Sequence, residues 1–110
     1  MPLSERARVE VYVPDLPMPA YQNLLRSLEQ EFTYTFGGCT IVEGLHGSYL
    51  SNAGLPTDDR INLIYTDAGI RFDANLAALA RFTDKLRQAS FDALDEEAVL
   101  VVAYRVYHSG

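Results

Sequence analysis

Cys39 and His46 have the greatest chemical reach in this 110-residue chain, because a thiolate beside an imidazolium makes a nucleophile. Their spacing argues against that use. Seven residues is an odd number, so on an unbroken strand the two side chains leave opposite faces. A lone cysteine at the head of an apolar run is ordinarily a core filler. His46 with Glu43 offers two metal ligands, and His108 lies far along the chain. No Cys-x-x-Cys, His-x-x-x-His or His-Glu-x-x-His occurs, nor a Walker or Gly-x-Gly-x-x-Gly phosphate loop. No catalytic residue, metal or cofactor is assigned.

A second set is polar rather than nucleophilic. Glu10, Tyr12, Asn62 and Arg105 fall on segments that read as strands. Enclosed between subunits, they would form a polar cluster in an apolar cleft, the usual look of a small-molecule site. Ion pairing at a subunit contact is the plainer role. His46 and Tyr49 belong to the loop over residues 46–59, whose exposed connection from Ser51 to Asp59 is long enough to carry function.

The elements that must position these residues follow from periodicity. Arg8 to Val13 alternates, with Val9, Val11 and Val13 on one face and Glu10 and Tyr12 on the other. Pro14 ends that strand, and Asp15 with Pro17 and Pro19 suits a helix entry. Tyr21, Leu24, Leu25, Leu28 and Phe32 follow helical spacing, and the β-prone Thr33-Tyr34-Thr35 predicts an end near Phe32. A second strand runs from Cys39 to about Leu45, where Gly44 and Gly47 suggest a bulge or a close backbone approach, and resumes through Tyr49 and Leu50. Arg60 to Thr66 is a third. A helix capped near Asp73 runs to about Gln88, burying Leu76, Leu79, Ala80, Thr83 and Leu86. Val99 to Tyr107 is the last strand.

The order β-α-β-β-α-β predicts an α+β fold of the ferredoxin-like kind. Two helices cover one face of a four-stranded antiparallel sheet with strand order 4-1-3-2, a two-layer sandwich. The other face is left bare. Tyr12 and Ile64 are expected there. The last strand is apolar on both faces, with Leu100, Val102, Tyr104 and Val106 opposite Val99, Val101 and Ala103. A half-solvated strand should alternate, so a cover is expected, and a second copy is the commonest one.

Composition narrows the rest. The length fits one domain over residues 1–110, and 48% apolar residues exclude general disorder. A net charge of -6 with a single lysine disfavours nucleic acid and anionic membrane. The run from Ala98 to Tyr104 is too short to span a bilayer, and the first residues lack a secretory apolar segment. One cysteine and no disulfide framework suit the cytoplasm.

The run Cys39-Thr40-Ile41-Val42-Glu43-Gly44-Leu45-His46-Gly47-Ser48-Tyr49, then Gly54-Leu55, Asp59 and Ile61-Asn62-Leu63-Ile64-Tyr65-Thr66, resembles the middle of CutA-type cation-tolerance proteins, within the PII-like superfamily. The resemblance implies a trimer with ligands or metal at clefts between subunits, and a flexible loop between the second and third strands. Leu50, Ser51 and Leu55 stand where the CutA bend carries an aromatic pair and a lysine, so no metal or nucleotide site is carried over. Three functions are in view. The first is a non-catalytic homo-oligomeric module, trimer or dimer, that binds a small ligand or a partner protein at intersubunit clefts or the 46–59 loop. The second is a dimeric α/β-barrel enzyme, monooxygenase- or isomerase-like, with Glu10, Tyr12, Asn62 and Arg105 lining a cavity. The third is a structural assembly subunit.

Overall fold

The apolar side chains of the first strand, Ala7, Val9, Val11 and Val13, are almost fully buried. A computed structural model, which describes residues 2–50, 54, 56–94 and 99–109, shows what covers them. Strand β1 (Leu3–Pro14) lies between β3 (Pro56–Ala68) and β4 (Leu100–Ser109), and β2 (Thr40–Leu50) pairs with β3 at the edge. The sheet order is β2-β3-β1-β4, with every neighbour antiparallel. This is the predicted 4-1-3-2 arrangement. Helices α1 (Pro19–Phe36) and α2 (Leu76–Leu94) pack on the Val9 face through Leu24, Leu28, Phe32, Leu79 and Leu86.

Several element ends differ from expectation, each for a local reason. Helix α1 continues past Thr33-Tyr34-Thr35 to Phe36. Phe32 and Phe36 sit one turn apart and interlock with Phe82, with ring centroids 4.8–6.1 Å apart, so packing overrides β propensity. Gly37 then stops the helix at φ 86°, donating its N–H to Thr33 O. Asp15 does not cap α1. Its N–H donates to Arg60 O, extending the sheet ladder, and Met18 takes the cap position without a side-chain bond.

The second helix begins with a 3-10 turn (Asp73–Asn75), held by the Glu5 carboxylate, which accepts the Phe72 N–H at 2.7 Å. It then runs on to Leu94, beyond Gln88. Its buried stripe is Leu79, Leu86 and Ser90, with Phe82 and Leu94 half-buried beside it; Leu76 is 54% exposed and Ala80 lies outside.

The connection predicted over 46–59 is mostly strand. His46 pairs with Arg60, Gly47 with Asp59, Ser48 with Asp58, Tyr49 with Thr57 and Leu50 with Pro56. Strand β1 ends opposite Ile61, so this hairpin runs beyond the four-stranded part of the sheet. The molecule is accordingly long, 47 × 27 × 23 Å. Its radius of gyration of 15.2 Å exceeds the roughly 13 Å of a compact chain of this size. Residues 51–53 and 55 of the predicted loop lie outside the described residues.

Candidate functional site

In antiparallel pairing, opposite residues share a face, so register decides which side chains meet. Tyr12 lies opposite Leu63 and Leu100, Glu10 opposite Tyr65 and Val102, and Arg8 opposite Asp67 and Tyr104. All of these point away from the helices. The face divides across its length. Towards the hairpin it carries Leu63, Val42, Leu45, Ile61 and Leu100; towards the other end it carries Arg8, Glu10, Tyr65, Asp67, Tyr104 and His108. Leu100 is 58% exposed and Tyr104 39%.

Glu10 is only 6% exposed, although nothing in the chain's helix layer covers this face. Tyrosines shield it. The Tyr12 hydroxyl donates to Oε1 at 2.9 Å and the Tyr104 hydroxyl to Oε2 at 2.6 Å. Arg8 Nη1 stands 4.0 Å from Oε2. Arg8 grips Asp67 in a two-pronged pair, Nε to Oδ1 at 2.6 Å and Nη2 to Oδ2 at 2.8 Å, and its guanidinium lies 4.5 Å above the centre of the Tyr65 ring. His108 Nε2 meets Asp67 Oδ2 at 2.7 Å.

The electrostatics follow from these bonds. The Glu10 carboxylate raises both tyrosine pKa values, since it accepts from the neutral hydroxyl and repels a phenolate, and burial adds to this. The Arg8 hydrogen bonds hold Asp67 below the usual carboxylate range, with His108 contributing, and Asp67 in turn raises Arg8. Among the described residues no buried side-chain polar atom lacks a hydrogen-bond partner. The network satisfies itself. It needs no polar ligand, and it can be withdrawn from water with its bonds intact.

The four residues expected to line one cleft are separated. Glu10 and Tyr12 are on the open face, but Asn62 pairs with Val13 and Arg105 with Ala7, on the helix-covered side. Ile64 likewise lies opposite Val11 in the core, not on the open face. Asn62 has a structural task. The bulge between Val42 and Leu45 breaks the ladder, and Asn62 Oδ1 accepts the Gly44 N–H at 3.1 Å. Gly44 adopts φ 70°, which a side chain would resist. Arg105 pairs with Asp73 Oδ2 at 3.2 Å, tying β4 to the 3-10 turn.

His46 is exposed on the hairpin, and Tyr49 pairs with Thr57 there, its side chain lying outside the described residues. The bulge restores the face shared by Cys39 and His46, but roughly 20 Å of strand separates them. Burial raises the Cys39 thiol pKa, against thiolate formation. Among the described residues no three His, Cys, Asp or Glu groups converge to hold a metal ion, and no helix is long and apolar enough to cross a membrane.

No protein-family model matches the chain, and no curated protein matches its sequence. Solved structures do match its fold. CutA1 from Oryza sativa is 18% identical with a TM-score of 0.59, the match covering 98% of this chain and 85% of that one. The divalent cation tolerance protein CutA1 from Thermus thermophilus is 16% identical with a TM-score of 0.59, covering 96% and 87%. CPII from Thiomonas intermedia, solved with ADP, AMP and acetate, is 15% identical with a TM-score of 0.53, covering 100% and 94%. The fold is thus the ferredoxin-like one shared by CutA1 and PII-type proteins, as the resemblance in the central run implied.

Proposed function

We propose that this chain is a non-catalytic, homo-oligomeric PII/CutA-like module of one domain that works in the cytoplasm. Further copies cover its open sheet face. A small ligand or partner protein is taken at clefts between copies, beside the β2–β3 hairpin. The observation that carries this reading is the near-complete burial of Glu10 on a face the chain leaves uncovered. Withdrawing a carboxylate from water is costly unless its oxygens are satisfied, and here both oxygens already are. The face is therefore prepared for contact with protein.

Its size supports the same reading. Four strands about 4.8 Å apart and some ten residues long give roughly 600 Å2 of flat area. Side-chain relief brings this near the ~800 Å2 per partner of a standard interface. The exposed Leu100 and Val42 supply apolar contact on the half nearer the hairpin.

Light scattering across a concentration series tests the assembly. A mass that is a multiple of 12.3 kDa is expected, and a monomer at every concentration would overturn it. A trimer directs the ligand search to three equivalent clefts; a dimer directs it to the space between two facing sheets. ADP and AMP, the nucleotides held by the Thiomonas protein, are the first ligands to titrate, with the melting temperature as readout. A nucleotide ligand requires an upward shift that saturates.

A further inference from the structure

His108 lies on the open sheet face, at the end away from the hairpin. Strand β4 sets it opposite Ser4, with Arg6 opposite Val106 two residues along on the same side of the sheet. Its ring reaches across to β3, where Nε2 meets Asp67 Oδ2 at 2.7 Å. The His108 side chain is 45% exposed and that of Asp67 13%, so a copy laid over this end takes the imidazole out of water. Among the described residues of this face, it alone carries an imidazole, the group that changes charge between about pH 5 and 8.

The neighbouring charges decide which form of the ring tolerates cover. Asp67 touches the ring, but Arg8 already holds that carboxylate through two hydrogen bonds. The pairing keeps Asp67 below the usual carboxylate range, so it stays charged at neutral pH. Glu10 accepts from Tyr12 and Tyr104, with Arg8 Nη1 4.0 Å away. Arg6 donates to Glu5 O. The two guanidiniums and two carboxylates of this end cancel. A neutral imidazole with its proton on Nε2 donates to Asp67 and leaves that balance intact. An imidazolium keeps the same bond and adds a positive charge to the end that holds Arg6 and Arg8. Among the described residues, no carboxylate of this end is left to match it. Water solvates the added charge on an open face. Under a second copy that solvation is lost, and burying an unmatched charge is costly. Cover therefore favours release of the proton.

We propose that His108 is a pH switch on assembly through the open face. Copies associate with the ring neutral and separate as it gains a proton. The switch requires the assembly proposed above. Each chain stays folded as copies separate, because the Arg8–Asp67 pair keeps both charges over this range.

Sedimentation velocity of the full chain at constant ionic strength supplies the test. From pH 7.5 to pH 5.5 the apparent Kd of assembly should rise by at least about tenfold, with an unchanged circular-dichroism spectrum. His108→Gln keeps a donor for Asp67 and cannot titrate, so it should assemble at pH 7.5 and lose the response. His108→Arg is charged at every pH and should assemble at least about tenfold more weakly at pH 7.5. His46→Gln, on the hairpin, should keep the native response. Three results would overturn the switch alone: an oligomer whose Kd is flat or falls on acidification, a response that survives in His108→Gln, or one lost in His46→Gln. A monomer at every pH overturns the assembly itself, and the switch with it.

Discussion

Asn62 and Glu10 are both buried and polar, and they act on opposite faces of the sheet. Asn62→Ala removes the acceptor of the Gly44 N–H at the bulge, leaving a donor without its ladder partner. A loss of about 1–3 kcal/mol is expected in urea unfolding. The open face gives stability a pH dependence with two limits. Asp67 has a lowered pKa in the folded chain, through Arg8 first, so its contribution is present above the unfolded carboxylate value and lost as pH falls through the folded one. Tyr12 and Tyr104 have raised values, through Glu10 first, so their contribution is complete below the unfolded phenol value near 10 and lost as pH rises past it. Denaturation midpoints should fall below about pH 4 and above about pH 10. In Tyr12→Phe/Tyr104→Phe the alkaline fall should flatten, and an unchanged alkaline limb would refute the assignment. Glu10 and Tyr12 were legible in the sequence as one phase of an alternating strand. The face that Asn62 takes is not legible, because Ile61, Leu63 and Ile64 make β3 apolar on both phases. The role of Arg8 with Asp67 depends on register between strands 59 residues apart, and periodicity within one strand carries no register.

At the scale of elements, type and order were readable throughout, and ends were not. The apolar periods in α1 and β1 are strong because each has one buried face. The end of α1 depends on Phe82, a residue of another helix, and local propensity cannot report that contact. The start of α1 offers a direct test. Met18 holds the cap position with extended backbone and no side-chain bond, and it is exposed. Met18→Ser adds an acceptor for the free N–H groups of the first turn, so stability should rise by about 0.5–1 kcal/mol in chemical denaturation. At the other end, Gly37→Ala forces a side chain into φ 86°. With open space around it, only backbone strain opposes the change, and a loss of about 1 kcal/mol is expected.

For the whole molecule, the layout followed from element order and the bare sheet face. The reach of the hairpin did not, because Gly54, Pro56 and the acidic pair Asp58-Asp59 read as a loop although 56–59 are paired. Val102→Glu places a charge opposite Glu10 on the open face, where a covering copy must meet it. Sedimentation velocity should show the variant shifted to monomer, with its folded circular-dichroism spectrum retained. A variant of unchanged mass would place the assembly surface elsewhere. The pairing of β1 with β4 has one more consequence. Leu3 lies opposite Ser109, so the central strand waits for a partner from the far end of the chain. Such distant pairing slows folding, because the intervening chain must close as one long loop. A circular permutant that links residue 109 to residue 3 and opens the chain between α2 and β4 would turn that pairing into a simple hairpin. Its refolding in stopped flow should be faster than that of the native order, with the same sheet at the end.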